Sequence, residues 1–555
     1  MAMRLKRHVS LFESSIRRAT VPTVANSLCT RCRRYASSAA YPENIAVLGG
    51  GISGLASAYF VAQEFPRSKI TIYEAEKQLG GWIRSQRIPV PGGDVLFEHG
   101  PRTLRPGRDS LVTQKLIQEL DLVGDVLATP KKAPGAANRY VYYPDRLNLM
   151  PGPGARPSYF DLAKSGVFAG WHNILAEPFQ SRRDGSIRDE SVGSFLSRRV
   201  DKRIAQNLVS AIFHGIYAGD VWKLSAKTLL GTAWQLEMKG NSVWDGWMNI
   251  QGTNGKGTDT LISPHHLDVR ARVNQEIKVD SALSDALRDC SVFTFKNGLQ
   301  QLVDALSQCL KTYSQIEVKL GTPVESYNLL SNGEKQVEVT TKDGKPQNYD
   351  LVISTLRAPA LTPYVTVMTV NLYYSTPNLN PVKGFGYLIP QGVPFEQNPE
   401  RALGVTFDSD AVQGQDSAPG TKLTVMLGGH WWDEWDTYPD SQEGLELAKS
   451  LVKRHLGITE EPTRSNVGVW KDCIPQYTVG YEDRLRDYVE KTKNQFGGRV
   501  KLVGNQYNGV AVNNCIEQAW MMARGLRHNG WKEKATGLES RVVDEPWSII
   551  PVNQP

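Results

Sequence analysis

The chain lacks any apolar run approaching the ~18 residues a spanning helix needs, so peripheral contact is the expected mode of any membrane attachment. Cysteine is scarce: Cys29, Cys32, Cys290, Cys309, Cys473 and Cys515 are the whole set. Only the first two form a CxxC, with no second pair to complete a zinc set, and the other four stand singly. Neither a metal centre nor a disulfide framework is expected. A Ser/His/Asp arrangement, an HExxH and a pair of carboxylates in a plausible site are all absent, and the nine histidines are dispersed. His214 reads as a structural histidine. Acid is nearly missing from residues 1–36, where eight basic residues face only Glu13. That segment accounts for the whole formal charge of +7 and leaves 56 basic and 56 acidic residues in the rest, which excludes the basic surface of a nucleic-acid-binding protein.

What the leader does hold is Arg, Ser and Thr without an apolar core, the composition of a mitochondrial transit peptide. Arg33, Arg34 and Tyr35 before Ala36, Ser37 and Ser38 would suit a processing protease.

A chain of 555 residues carries two to four domains. Residues 44–48 read as a buried strand, 52–62 as a helix and 69–73 as a second strand, parallel to the first through a right-handed crossover. Amphipathic helices are expected over 161–179, 192–217 and 225–239, and an insertion or mobile loop over 240–264. A helix at 299–310 leads into β-rich sequence, with strands at 351–354, 365–374 and 423–427. A last strand at 500–503, a glycine turn and a helix at 514–525 repeat the opening pattern. The two ends are therefore expected to build one discontinuous domain.

Gly49, Gly50, Gly51, Ile52, Ser53 and Gly54 fit GxGxxG between strand and helix, and Glu74 follows at the end of the second strand. In a dinucleotide fold Gly49 turns the chain, Gly51 admits the pyrophosphate, Gly54 lets helix and strand pack, and the helix N-terminus offers free N–H groups. Glu74 would accept from the ribose hydroxyls, which favours FAD or NAD over NADP. The stretch Leu79 to Ser85, containing Gly80, Gly81, Trp82 and Arg84, resembles the second glycine motif of amine-oxidase-like flavoproteins, and so points to FAD, with Arg84 a candidate for the phosphates.

Several segments, in order, resemble the protoporphyrinogen oxidases of mitochondrial, animal and fungal type over residues 44–525. They are Leu48–Leu55, Gly80–Ser85, Glu98–Arg102, Ala137–Arg139, Gly215–Gly219, Phe385–Leu388, Thr424–Gly429, Cys473–Tyr477 and Gly509–Cys515. The resemblance implies a mixed α/β (α+β) fold. Its parts are a discontinuous Rossmann-like FAD domain of p-hydroxybenzoate hydroxylase type (43–138, 292–361, 490–555), a β-rich substrate domain (362–489) and a helical membrane-associated region (139–291). It implies non-covalent FAD and oxidation of protoporphyrinogen IX to protoporphyrin IX, the penultimate step of haem synthesis. Three O2 would become three H2O2, at the mitochondrial inner membrane facing the intermembrane space, with handover to ferrochelatase and a homodimer left open.

Carried over residue by residue, Gly100, Pro101, Arg102 and Thr103 match the loop against the flavin, and Val324 the backbone that meets adenine. Val510, Ala511 and Val512 match the turn lying on the isoalloxazine, with Asn505 beside it in a position where the residue type differs. Arg139 matches the arginine that pairs with a propionate, whose carboxylate its planar fork holds bidentately. Phe385 and Leu388 match groups sandwiching the pyrroles, Met426 the pocket wall, and Gly215 the close approach under the macrocycle. No catalytic side chain is expected, because a hydride donor placed against flavin needs orientation above all.

Two other readings compete. One is a different FAD oxidase of the amine oxidase superfamily, for which Lys296 is the sole candidate for a lysine beside the flavin, although it reads as solvent-facing. The other is a non-enzymatic scaffold that docks its basic stretch, residues 182–203, on anionic lipid.

Overall fold

A computed structural model describes residues 41–252, 258–330 and 335–552. The leader, Cys29, Cys32 and residues 253–257 of the polar segment lie outside the described residues.

Short aliphatic runs with no polar face belong to parallel strands covered on both sides. Asn44–Leu48, Lys69–Tyr73, Ile316–Lys319, Leu351–Ser354 and Val500–Leu502 pair in parallel, with Asn44–Leu48 at the centre between Lys69–Tyr73 and Leu351–Ser354. Ala46 faces Thr71 on one side and Val352 on the other. Two helices, Ile52–Glu64 and Val512–Asn529, pack on each other beside this sheet. Strands from both ends of the chain thus share one sheet. A three-stranded antiparallel sheet, Val324–Leu329, Val337–Thr341 and Gln347–Tyr349, lies next in sequence to its outer strand.

The second large sheet has seven strands, in the order Arg464–Pro475, Tyr364–Tyr374, Thr421–Gly428, Ala402–Phe407, Gly386–Leu388, Arg139–Tyr142, Leu147–Leu149. Alternation along its strands separates two faces. One face is a hydrophobic core: Met368, Val370, Leu372, Val425, Leu427, Val405, Phe407, Tyr387 and Tyr140 pack there against Ala448, Leu451 and Val452 of the helix Ser441–Leu456. The residues between these point the other way, and they are Thr369, Asn371, Thr424, Met426, Gly404, Leu388 and Arg139. Sequence reading did not anticipate Arg139–Tyr142 and Leu147–Leu149 as members of this sheet.

The expected long helices are broken. Gly166 and Gly170, at φ 77° and 84°, end Tyr159–Ser165 and start the 3₁₀ stretch Trp171–Phe179. The span 192–217 divides at Val200 and Asp201 into Val192–Arg199 and a second run ending in Ser210–Tyr217, and 225–239 divides at Leu230. The polar segment 240–264 is not a bare loop either. It holds the helix Val243–Ile250 and the strand Asp259–Ile262, which pairs with Ser548–Pro551. No helix among the described residues is long and apolar enough to cross a membrane, and no His, Cys, Asp and Glu cluster among them could hold a metal.

Candidate functional site

The first glycine loop leaves its strand through Gly49, whose φ of 104° suits glycine alone. The Gly49 N–H donates to Tyr73 O at 2.8 Å, fastening the turn to the second strand. At Gly54 a Cβ would fall 1.9 Å from Gly49 O, so the helix can approach only without one. Gly51 differs: a Cβ there would meet nothing nearer than Gly81 Cα at 3.9 Å, so its outer side is open. The Gly80 N–H donates to Gly50 O at 2.9 Å, joining the two glycine loops edge to edge.

Glu74 is buried at the foot of this pair. Its Oε2 accepts from the Gly50 N–H at 2.6 Å and its Oε1 from the Glu76 N–H at 2.8 Å. The backbone of the outer strand closes over the same place: the Glu74 N–H donates to Lys319 O and the Thr322 N–H to Glu74 O. Val324 opens the next strand two residues on.

The far end of the chain supplies the other side. Helix Val512–Asn529 begins at Ala511 with no side-chain cap, as helix Ile52–Glu64 does at Gly51. The first turns touch through a hydrogen bond between the Cys515 thiol and Ser53. Two uncapped helix starts therefore lie side by side, each with unpaired N–H groups and the positive end of its dipole. Val510 and Ala511 stay accessible while Val512 is buried. The turn before them is clamped by Tyr477, whose hydroxyl accepts from the Gly509 N–H at 2.9 Å and donates to Asn505 O. Asn505 itself turns its amide to Cys473 O at 3.4 Å.

The segment Gly100–Thr103 joins this half to the seven-stranded sheet. A Cβ on Gly100 would lie 2.0 Å from Trp82 O, so the loop rests directly on the second glycine motif. The guanidinium of Arg102 is spoken for by Asp408 at 2.6 Å, and Asp408 accepts from Thr424 Oγ1 at 2.5 Å on the inward sheet face. Arg102 thus ties the loop to the sheet, while its neighbours Gly100 and Pro101 remain accessible. Arg84 likewise turns toward the sheet, its Cζ 5.5 Å from the Trp470 ring centre. Trp470 meets Trp82 edge to face at 5.9 Å and donates from Nε1 to Thr369 at 3.1 Å. Asp408, Trp470 and Tyr477 each fasten a part of this site, and no local motif marks them as partners of the glycine loops. Just before the loop, burial raises the Glu98 carboxyl to about 7, against hydrogen bonds from Ser85 and the Leu299 N–H.

Beyond the loop lies the inward sheet face. Arg139 sits opposite Gly386 in the parallel register and two places from Leu388, with Phe385 under its guanidinium at 5.0 Å. Its own hydrogen bonds are long: 3.4 Å to Ala136 O and 3.3 Å to Ser291 Oγ. Among the described residues no carboxylate pairs with it. Burial and the nearby Arg105 lower its pKa from the ordinary guanidinium value, so the charge lacks a counter-ion in a partly dry place. Leu388 fills the space above Gly215, where a Cβ would stand 2.9 Å from Leu388 Cδ1. Met426 packs with Ala218, Trp431 and Trp470 on the same side. Behind this wall His214 and His430 are 2.8 Å apart, and His214 Nδ1 is 2.6 Å from Ile389 O. With Nδ1 donating to that carbonyl, His214 Nε2 accepts from His430.

These placements bear on the two competing readings. Lys296 is exposed and paired with Asp125 at 3.2 Å. The basic stretch 182–203 is not a free cationic face, because Arg183, Arg198 and Arg199 converge on the fully buried Glu237 and on Glu177 and Glu190.

Open space over Gly51, two uncapped helix starts and a carboxylate held at the ribose position fit FAD. The model of the family of flavin containing amine oxidoreductases matches residues 52–526. A protoporphyrinogen oxidase of Schizosaccharomyces pombe is 34% identical over 87% of this chain and 98% of its own length. One of Homo sapiens is 32% identical over 86% and 96%. Among solved structures, a putative protoporphyrinogen oxidase from Exiguobacterium superimposes with a TM-score of 0.64 at 20% identity, over 88% of this chain and 99% of that one.

Proposed function

The chain belongs to the flavin containing amine oxidoreductases, in their protoporphyrinogen oxidase branch, and on that footing we propose that it oxidises protoporphyrinogen IX to protoporphyrin IX in haem biosynthesis. It is an FAD-dependent oxidoreductase. The observation that carries the substrate assignment is Arg139, a half-buried guanidinium with no carboxylate of its own, set on a sheet face beside Leu388 and Phe385. A flat tetrapyrrole with propionate arms offers the missing anion and apolar faces for the leucine and the aromatic ring.

When bound, FAD supplies a two-electron acceptor for hydride from carbon. Everything else falls to the chain. Arg139 fixes one edge of the macrocycle, Gly215 and Gly404 make room for Leu388, Leu388 and Met426 exclude water, and the Arg102–Asp408 pair holds the flavin-side loop to the substrate sheet. Six electrons leave in three rounds, and the reading includes three O2 reduced to three H2O2.

Peripheral contact with the mitochondrial inner membrane, on the intermembrane-space side, belongs to the same proposal. It is supported by the Arg-rich leader and by exposed apolar side chains on the helical segments, among them Phe160, Trp171, Leu175, Phe179 and Trp244, with Phe179 88% exposed.

The deciding experiment is anaerobic mixing of the yellow holoenzyme with protoporphyrinogen IX. Flavin bleaching, followed by porphyrin fluorescence on admitting air, is expected. Bleaching by a polyamine and not by protoporphyrinogen would overturn the assignment in favour of an amine oxidase.

A further inference from the structure

A second arginine, Arg105, stands where the flavin-side loop meets the substrate sheet, and its backbone is fixed from two directions. Leu104 and Phe293 exchange backbone hydrogen bonds at 2.8 Å each way, so the residue after Leu104 lies against the strand Cys290–Phe295. Arg139 reaches the same strand through Ser291 Oγ at 3.3 Å. On the flavin side, Asn513 Nδ2 donates to Arg105 O at 3.0 Å. Asn513 is the second residue of the helix Val512–Asn529, one of the two uncapped helix starts. Arg105 is thereby set between the flavin half of the site and Arg139.

Neither arginine has an acid of its own. Among the described residues no carboxylate lies within ion-pair distance of Arg105 or Arg139, and the exposed guanidinium of Arg105 makes no hydrogen bond. The one charged group among them that acts on Arg139 is Arg105, which carries the same sign. Arg102, on the same loop, shows the contrast, since Asp408 holds it at 2.6 Å. Two like charges kept together without a counter-ion, one of them half-buried, repel each other in the protein alone. A ligand with a single carboxylate neutralises one of them, and a ligand with two neutralises both.

We propose that Arg105 is a second propionate-binding residue, which takes one carboxylate of the porphyrinogen while Arg139 takes the other. This assignment rests on the porphyrinogen reading above and deepens it. Protoporphyrinogen IX carries its two propionates on neighbouring pyrroles, at one edge of the ring, so two arginines at one edge of the pocket meet both. A single contact leaves the macrocycle free to rotate about that point, whereas two fix its orientation in the plane. The pair thus selects which methylene bridge is presented to the flavin.

The flavin-loaded enzyme is titrated with protoporphyrin IX and with its dimethyl ester, read by fluorescence, beside steady-state oxidation of protoporphyrinogen IX. Arg105→Ala keeps the backbone bond from Asn513. It should weaken the diacid about tenfold and leave the ester unchanged, raise KM by a similar factor with a smaller change in kcat, and leave the affinity of the apoenzyme for FAD as it was. Arg105→Gln, which keeps most of the side chain and removes the charge, should behave in the same way. Arg105→Glu puts an acid beside Arg139 and should weaken the diacid further. Equal losses for diacid and ester, or no loss in either neutral variant, would overturn the second contact while leaving the substrate intact, provided that the unaltered enzyme oxidises protoporphyrinogen. Weaker FAD binding with porphyrin binding undiminished would overturn it too, by giving the arginine to the phosphates of the cofactor. An unaltered enzyme that neither binds nor oxidises the tetrapyrrole would remove the substrate reading and this contact together.

Discussion

The Gly50 N–H donates to Glu74 Oε2 at 2.6 Å, so the residue expected to hold the ribose is itself held by the loop expected to hold the pyrophosphate. The acid is therefore set in place before the cofactor arrives, and its second oxygen is braced by Glu76. Glu74→Gln keeps an acceptor for Gly50 but gives up the charge-assisted bonds to the ribose. FAD affinity should fall by about 10- to 100-fold, a loss of roughly 1.5–3 kcal/mol. Fluorescence quenching of FAD titrated with apoenzyme measures it, and an unchanged Kd would remove Glu74 from the site.

Arg139 makes a different kind of prediction, because among the described residues no carboxylate pairs with it. Arg139→Ala leaves no orphaned carboxylate, so folding and flavin content should be close to those of the unaltered enzyme. KM for protoporphyrinogen should rise by about 30-fold for a lost charged contact of ~2 kcal/mol, with a smaller change in kcat. Arg139→Lys should recover only part, since a point charge does not reproduce the bidentate fork. Steady-state kinetics beside the flavin spectrum separate this from a folding defect.

Gly215 and Leu388 should act as one unit. A methyl on Gly215 would stand 2.9 Å from Leu388 Cδ1, the mobile end of that side chain, so Gly215→Ala displaces the leucine without touching backbone. Gly215→Ala alone should raise KM several-fold. In a Leu388→Ala background the same change should cost about 0.5 kcal/mol less or better, a coupling that a double-mutant cycle on kcat/KM reads directly. Additive effects would mean that the leucine does not mark the pocket wall.

What was legible in the sequence follows how far each signal reaches along the chain. The turn at Gly49 to Gly54 and the spacing to Glu74 are local patterns with a single physical solution, and the structure builds them as read. The partnership of Trp82 with Trp470, and of Arg102 with Asp408, joins residues more than 300 positions apart, and nothing near either member announces it. Arg139–Tyr142 was missed as a strand because its parallel partner, Gly386–Leu388, lies far downstream and four residues carry little periodicity. The basic stretch 182–203 reads in sequence as a cationic face for anionic lipid because charge counting does not see Glu237, whose carboxylate gathers Arg183 and Arg198 at 2.7 and 2.5 Å in the interior. In the helical region amphipathic periodicity ran straight through Gly166, Gly170 and Leu230, where the backbone turns away.

The last prediction concerns pH. His214 and His430 share one hydrogen bond behind the pocket wall, and burial lowers them to about 4 and about 2, with the mutual repulsion of their charged forms adding to the effect at His430. In the unfolded chain both titrate near 6.5. Between that value and 4 the unfolded state binds more protons than the folded one, so stability rises with pH through this window and is lost as pH falls through it. The loss assigned to His214 is on the order of 3 kcal/mol, from a shift of about 2.5 units. Because His214 precedes Gly215 and the His430 N–H donates to Ala218 O at 2.8 Å, opening the pair loosens the segment against Leu388 before the flavin loops are disturbed. KM should therefore climb below about pH 6 while the flavin absorbance holds, and Tm should drop over the same range. His430→Gln keeps a donor for His214 Nε2 and removes one titrating ring, so the fall in Tm from neutral to acidic pH should become shallower. An equally steep fall in that variant would place the acid sensitivity elsewhere.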